Sequence, residues 1–380
     1  MKKKYIILSI IILVLLITFV TSFNYFKTSN NYVEDSVNNQ TKITKGISMN
    51  LEQTVGAGDY KQVTQSSWPT EGYKFNAELS KCENGGEISW DDTKKAVIVS
   101  GNLSDKCYVY FDIYQLTLAE YIKSQYTGTQ GDNALYYHNS TLTNGAGDNS
   151  YRYAGASDSV NNYICLGSDA TTCPDANLFR IIGVFGNQTK VIRAKSVGYQ
   201  QWHTSADNTW SSSSLNAYLN GTYLTSLGTI AEKIATTTWK VGGGSGSNIS
   251  ASVPKTAYKN EVGSSASTTI IDKKIGLMYV SDYGFAASPS AWTKILGDYD
   301  GTDANGTSIK TINWMYMGYN EWTISRHSDN TNSAFFVNST GNVLGSNVRS
   351  DNGVRPSFNL ESSVKYVSGS GSMSDPVRVN

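Results

Sequence analysis

This chain lacks an excess of charge of either sign. Its 31 Lys plus Arg balance 31 Asp plus Glu, and no basic stripe can be picked out. Phosphate backbones are held by clustered Lys and Arg, so nucleic acid is not an expected partner. There are only four cysteines, Cys82, Cys107, Cys165 and Cys173, with no Cys-x-x-Cys and no Cys/His ligand spacing. That argues against zinc. The nucleophile elbow Gly-x-Ser-x-Gly, the zinc motif His-Glu-x-x-His and the phosphate-binding P-loop are all missing, and no cofactor is implied. Proline is scarce, at 6 residues, whereas Gly, Ser, Thr, Asn and Tyr dominate. That palette suits a β-rich extracellular protein with many turns and aromatic-bearing strands.

The clearest positive feature is at the N-terminus. Lys2, Lys3 and Lys4 precede an apolar run from Tyr5 to Phe23, and no further charge appears before Lys27. About 20 apolar residues rising 1.5 Å each cross a bilayer core of roughly 30 Å. Lysines ahead of the run place the remainder of the chain outside the cytoplasm. The expectation is a single-pass cell-membrane protein with a transmembrane helix over 1–26 and its C-terminal ectodomain outside. The alternative is a cleaved signal peptide, with Val20-Thr21-Ser22 as the cleavage triplet, and secretion. No second apolar segment and no sorting tail is visible, so the N-terminal helix is the expected anchor.

Residues 27–46 are polar and without periodicity, as a flexible stalk would be. Residues 47–115 read as a small all-β domain. Tyr73, Phe75 and Ala77 alternate, as do Val97 and Val99, and Tyr108 and Tyr110 oppose Val109 and Phe111. Trp90 with Cys82 and Cys107 is placed at its centre. Thr117-Leu118-Ala119-Glu120 is a capping-box pattern that opens a connecting helix within 116–126.

Residues 127–380 read as an α+β module. Apolar runs Leu178–Phe185 and Lys190–Ala194 flank Gly186-Asn187 as a hairpin. A helix follows Ser211–Ser214 and stops at Asn220-Gly221, a second short one carries Ile230 and Ile234, and Trp292 to Leu296 is a third helical piece. Lys274 to Val280 reads as a strand, and Val241 to Ser252 as a Gly/Ser loop. Sequence proximity pairs Cys82 with Cys107 and Cys165 with Cys173, against the alternative of four free buried thiols.

Three stretches carry a family resemblance. They are Phe179-Arg180-Ile181-Ile182-Gly183-Val184, then Trp210 through Asn220, then Glu321-Trp322-Thr323-Ile324-Ser325-Arg326 with Gly341-Asn342-Val343 and Gly353-Val354-Arg355-Pro356-Ser357-Phe358-Asn359-Leu360. In order and spacing they resemble an uncharacterised family of bacterial surface modules, the domain of unknown function 6273, over about Leu178 to Leu360. More distantly, Trp322, Arg326 and Gly353-Val354-Arg355 resemble the core of the C-type-lectin-like and formylglycine-generating fold. The cysteine pair that formylglycine-generating enzymes need late in the domain is missing, so their oxidative chemistry is not carried over. The resemblance implies a C-type-lectin-like module, a scaffold that binds proteins, sugars or peptides.

The expected function is therefore extracellular binding or adhesion without catalysis, toward a glycan, peptidoglycan or host protein. The candidate groove is lined by Trp314, Tyr316, Tyr319, Trp322 and His327, with Arg326 and Arg355 beside it, because aromatic faces pack on sugar rings. Both arginines equally suit pinning loop carbonyls. Asp298, Asp300, Asp303 and Asn305 place oxygen ligands close together, as calcium needs, although an Asp/Gly surface turn explains them too. The alternative function is a cell-wall enzyme. Thr172-Cys173 resembles a sortase nucleophile motif, with Arg193 and His138 or His203 as partners, although a disulfide competes for Cys173. A pair of glycosidase carboxylates would meet only in space.

Overall fold

The computed structural model describes residues 46–380 apart from 65–66, 70–71, 102–104, 245–250 and 263–268. The membrane helix expected over 1–26 and nearly all of the stalk over 27–46 lie outside the described residues. Among the described residues no helix is long and apolar enough to cross a membrane. The chain divides into two compact units at Gln115/Leu116.

In the first unit, strands β1 (Ser48–Glu52), β2 (Tyr60–Val63), β3 (Tyr73–Cys82), β4 (Glu87–Asp91), β5 (Ala96–Ser100) and β6 (Cys107–Ile113) follow one another. Four of them form a sheet in the order β2-β1-β6-β3, with β1 and β6 parallel, and β4 and β5 pair as a separate hairpin. Side chains alternate faces along each strand. Val109 and Phe111 are accordingly buried with Met49 and Leu51, whereas Tyr108 and Tyr110 stay half-buried. The hairpin covers that inner face through Val97, Ile88, Val99 and Trp90. A disulfide joins Cys82 to Cys107, which are paired across β3 and β6.

The second unit opens with the helix Leu118–Ser124. Its capping box is formed: Thr117 Oγ accepts from the Glu120 N–H, and the Glu120 carboxylate accepts from the Thr117 N–H at 2.8 Å. Then come β7 (Leu135–Tyr137), β8 (Tyr151–Tyr153), β9 (Tyr163–Cys165), β10 (Leu178–Phe185), β11 (Gln188–Arg193) and β12 (Tyr199–Gln201). Beyond a helical stretch lie β13 (Thr237–Val241), β14 (Thr269–Lys273) and β15 (Ile275–Gly276). The last strands are β16 (Glu321–Arg326), β17 (Ser333–Val337), β18 (Val343–Asn347), β19 (Asp351–Gly353), β20 (Ser357–Leu360), β21 (Tyr366–Ser368) and β22 (Val377–Val379).

Nine of these strands make one sheet, along the path β15-β20-β11-β10-β9-β22-β21 with β8 also paired to β10 and β7 paired to β8. Five make another, β12-β19-β16-β17-β18, and β13 pairs with β14. In this unit Trp202, Trp210, Trp239, Trp292, Trp314 and Trp322 are each at most 1% exposed, Trp292 in a small cluster with Phe285 and the others in the main core.

The hairpin β10–β11 turns at Gly186-Asn187, and Gly186 alone takes positive φ, 63°. Positive φ at the first central position is the pattern of a type II′ turn, which accounts for the Gly-Asn order. At Gly183 a Cβ would stand 2.1 Å from the Tyr151 carbonyl oxygen, so only glycine lets β8 lie this close to β10.

The expectation of an α+β chain with a C-type-lectin-like module is corrected. The fold is 34% strand and 19% helix, and apart from the continuous stretch Ser214–Ser226 its helices are single or double turns, such as the 8-residue Pro254–Glu261. Pieces this short have little stability of their own and form where packing holds them between sheets. Two local expectations change as well. Val280 does not end a strand but opens the helix Val280–Ala286, and Asn220-Gly221 does not stop the helix after Ser213, which runs on through a π turn to Ser226.

Candidate functional site

The first unit carries an open groove of about 570 Å³. Its floor is built by period-two strands: Tyr73, Phe75 and Ala77 come from one face of β3, and Ile88 and Trp90 from one face of β4. Half-buried Pro69 and Tyr114 add to the lining, and exposed Lys74, Asp92 and Lys95 stand at the rim. Phe75 and Trp90 lie nearly parallel, 16° apart with centroids at 6.4 Å, and both rest edge-on against buried Phe111 at 5.9 and 5.6 Å. The Trp90 indole N–H donates to Asp92 Oδ1 at 2.9 Å, and Lys95 Nζ lies 3.5 Å from the same oxygen. The aromatic rings are therefore held before any ligand arrives. Among the described residues, one carboxylate and two amines edge the groove, and the lining contains neither histidine nor cysteine. Such a surface can stack on a ring and hydrogen-bond its substituents, which is binding chemistry.

The second unit encloses a charged cluster. Lys190 Nζ meets Asp282 Oδ2 at 2.5 Å, and Arg152 lies 3.5 Å from Asp282 Oδ1 and 2.6 Å from Asp148. Glu261 accepts from the Val280 and Ser281 N–H groups at 2.8 and 3.0 Å and from the Ser325 hydroxyl. Burial pushes the Glu261 carboxyl up to about 7 despite the hydrogen bonds from Ser281 and Ser325, and Asp282 pushes it the same way.

The unfolded chain loses this proton near 4.5, so between 4.5 and about 7 only the folded state keeps it. This contribution to stability is complete below about pH 4.5 and declines by about 3 kcal/mol as pH rises through 7. Glu261→Gln is expected to flatten that decline in denaturant titrations at pH 5 and pH 8. An unchanged slope would assign the titration to another group.

The residues expected to line a ligand groove are in this unit, and most are enclosed. Trp314 donates its indole N–H to the Tyr153 carbonyl and Trp322 to the Gln200 carbonyl, both at 2.8 Å in the core. Neither presents an open ring face. Arg355 is buried, paired with Glu321 and donating to the Met315 carbonyl at 2.8 Å. Half-buried Arg326 points its Nε to the Val241 carbonyl, 3.4 Å away. His327 stacks on Phe335 at 4.1 Å, and burial lowers its pKa. Tyr316 and Tyr319 are half-buried; the Tyr316 hydroxyl donates to the Ser339 carbonyl, and burial pushes the Tyr319 hydroxyl up to about 12.

In the Asp298–Asn305 loop, Asp303 turns inward and accepts from the Asn305 and Thr307 N–H groups, whereas Asp298, Asp300 and Asn305 are exposed. Among the described residues no cluster of three carboxylate, histidine or cysteine side chains could hold a metal. Cys173 is bonded to Cys165, so it offers no thiolate. His138 and His203 accept backbone N–H groups from Ala146 and Ser214, and Arg193 donates to the Asp175 carbonyl; neither histidine is joined to Cys173.

The groove residues Tyr73, Phe75 and Trp90 were legible only as core positions, because alternation marks a face and not how fully it is covered. Comparison with curated proteins and with solved structures finds no match, so no solved fold supports the C-type-lectin-like likeness. Residues 186–362 match the family model described as a domain of unknown function (DUF6273), so the C-terminal region of this chain is similar to that family.

Proposed function

We propose that this chain works outside the cytoplasm as a surface binding protein, and that its first unit holds a short glycan on the Phe75–Trp90 platform. The basic start and apolar run support export, and two disulfides fit an oxidising compartment. The observation that carries the reading is the pre-set aromatic floor with Lys74, Asp92 and Lys95 at its rim. A pyranose offers an apolar C–H face to such a floor and hydroxyls to such a rim. In this reading the ligand is held and not cleaved.

The test is a titration of the purified protein with a panel of oligosaccharides and peptidoglycan fragments, monitored by tryptophan fluorescence and calorimetry. Saturable binding is expected, weakened about tenfold or more in Trp90→Ala, the loss typical of truncating an aromatic anchor. Lys95→Ala should weaken binding less while leaving the denaturation midpoint in place. A blank panel, or binding indifferent to Trp90, would sink the glycan reading.

A further inference from the structure

Lys190 and Asp282 are an unusual pair to leave merely ionic. They are 4% and 2% exposed, with Nζ 2.5 Å from Oδ2. The amine is walled by aromatic rings, Tyr279 at 4.4 Å, Trp239 at 5.4 Å and Phe185 at 5.8 Å. Glu261, also buried, grips the N–H groups of Val280 and Ser281, while Asp282 Oδ2 accepts the N–H of Tyr279. Consecutive donors thus hold the two carboxyl groups side by side. Arg152 stands 3.5 Å from Asp282 Oδ1, the oxygen not contacted by the lysine.

We propose that Lys190 and Asp282 form an intramolecular amide bond, with Glu261 carrying the proton. Burial lowers the pKa of Lys190, and a proton shift across the 2.5 Å contact from Nζ to Oδ2 leaves a neutral amine facing a carboxylic acid. Nζ then attacks Cγ of Asp282, and the C–N bond forms. Negative charge gathers on Oδ1, where the Arg152 guanidinium meets it. Glu261 takes a proton from the nitrogen and delivers it to the departing hydroxyl; the C–O bond breaks and one water leaves. Amine plus acid becomes amide plus water, with no oxidant, reductant or further reactant. Exclusion of water from the site favours the condensed product. The bond would tie β11 to the helix Val280–Ala286 across 92 residues of sequence.

The test is peptide mapping of the full, reduced and denatured chain by mass spectrometry. The expected result is a branched peptide joining the Lys190 and Asp282 segments, lighter than the two separate peptides by one water, with no protease cleavage after Lys190. Glu261→Gln should form it about a hundredfold more slowly, and Lys190→Arg not at all. Recovery of both segments unlinked from the wild-type chain would overturn the proposal. Linkage at an unchanged rate in Glu261→Gln would overturn the role of Glu261.

Discussion

Arg355→Met is expected to cost the second unit about 3–5 kcal/mol of folding stability, the usual loss when one partner of a buried ion pair is removed. Arg355 Nε donates to Glu321 Oε1 at 2.5 Å and Nη2 to Oε2 at 2.9 Å, and Nη2 also reaches the Met315 carbonyl. The guanidinium therefore clamps β16 to the segment carrying Trp314 and Met315. Burial already raises the Glu321 pKa, and Arg355 is the opposing influence. Without it, Glu321 stays protonated in the folded state well above the unfolded value of 4.5. The deficit of the variant should accordingly be smallest at acid pH and grow as pH rises through neutrality. Glu321→Leu combined with Arg355→Met should recover most of the loss, because two apolar side chains leave no charge uncompensated. Denaturant titrations of wild type, the single variant and the double variant at pH 5 and pH 8 measure this. A ligand-binding arginine would leave stability unchanged when replaced, so a wild-type midpoint in Arg355→Met would return Arg355 to the binding role.

That contrast explains how far the sequence could be read. In β6, strict alternation separates Val109 and Phe111 from Tyr108 and Tyr110, and the structure keeps that separation because one face of the sheet is covered. Both disulfides join the cysteines nearest in sequence, and the β10–β11 hairpin turns at the Gly-Asn pair. Burial on all sides erases such signals. All seven residues of Val280–Ala286 are buried, Asp282 included, so the helix has no polar face by which periodicity could reveal it. Tryptophan is ambiguous for another reason: its ring suits a core or a ligand equally, and only the partner of its N–H decides. Trp314 and Trp322 spend theirs on buried carbonyls, and Trp90 spends its own on exposed Asp92 at a groove. Lys190, Glu261 and Asp282 are distant in sequence, and nothing along the chain announces that they meet.

Replacing Cys82 and Cys107 together by alanine is expected to destabilise the first unit by about 3.5 kcal/mol, the chain-entropy value for the 25 residues that the bridge closes. The effect should be large relative to what the unit has. Its buried hydrophobic cluster consists of Met49, Leu51, Val97, Val109 and Phe111, and small cores leave little margin. Position sharpens the point. The β3–β6 ladder loses register between Asn76 and Lys81, so the Cys82–Cys107 pair fastens a short stretch of ladder beyond the break. Without the bridge that stretch keeps the Lys81↔Tyr108 pairing, the Glu83 N–H to Lys106 carbonyl bond at 3.0 Å and the Asp105 contacts to Asn84 and Gly86, all of them polar. Hydrogen exchange should therefore quicken first in β3 after Lys81 and at the start of β6, then across the sheet as temperature rises. The Cys165–Cys173 bridge closes only 8 residues, worth about 2.5 kcal/mol by the same relation, and it borders a far larger core. Its removal should leave exchange in β9 and β10 near wild type. Equal protection of β3 and β6 with and without the first bridge would mean that the aromatic packing of Phe75, Trp90 and Phe111 alone suffices to hold the groove.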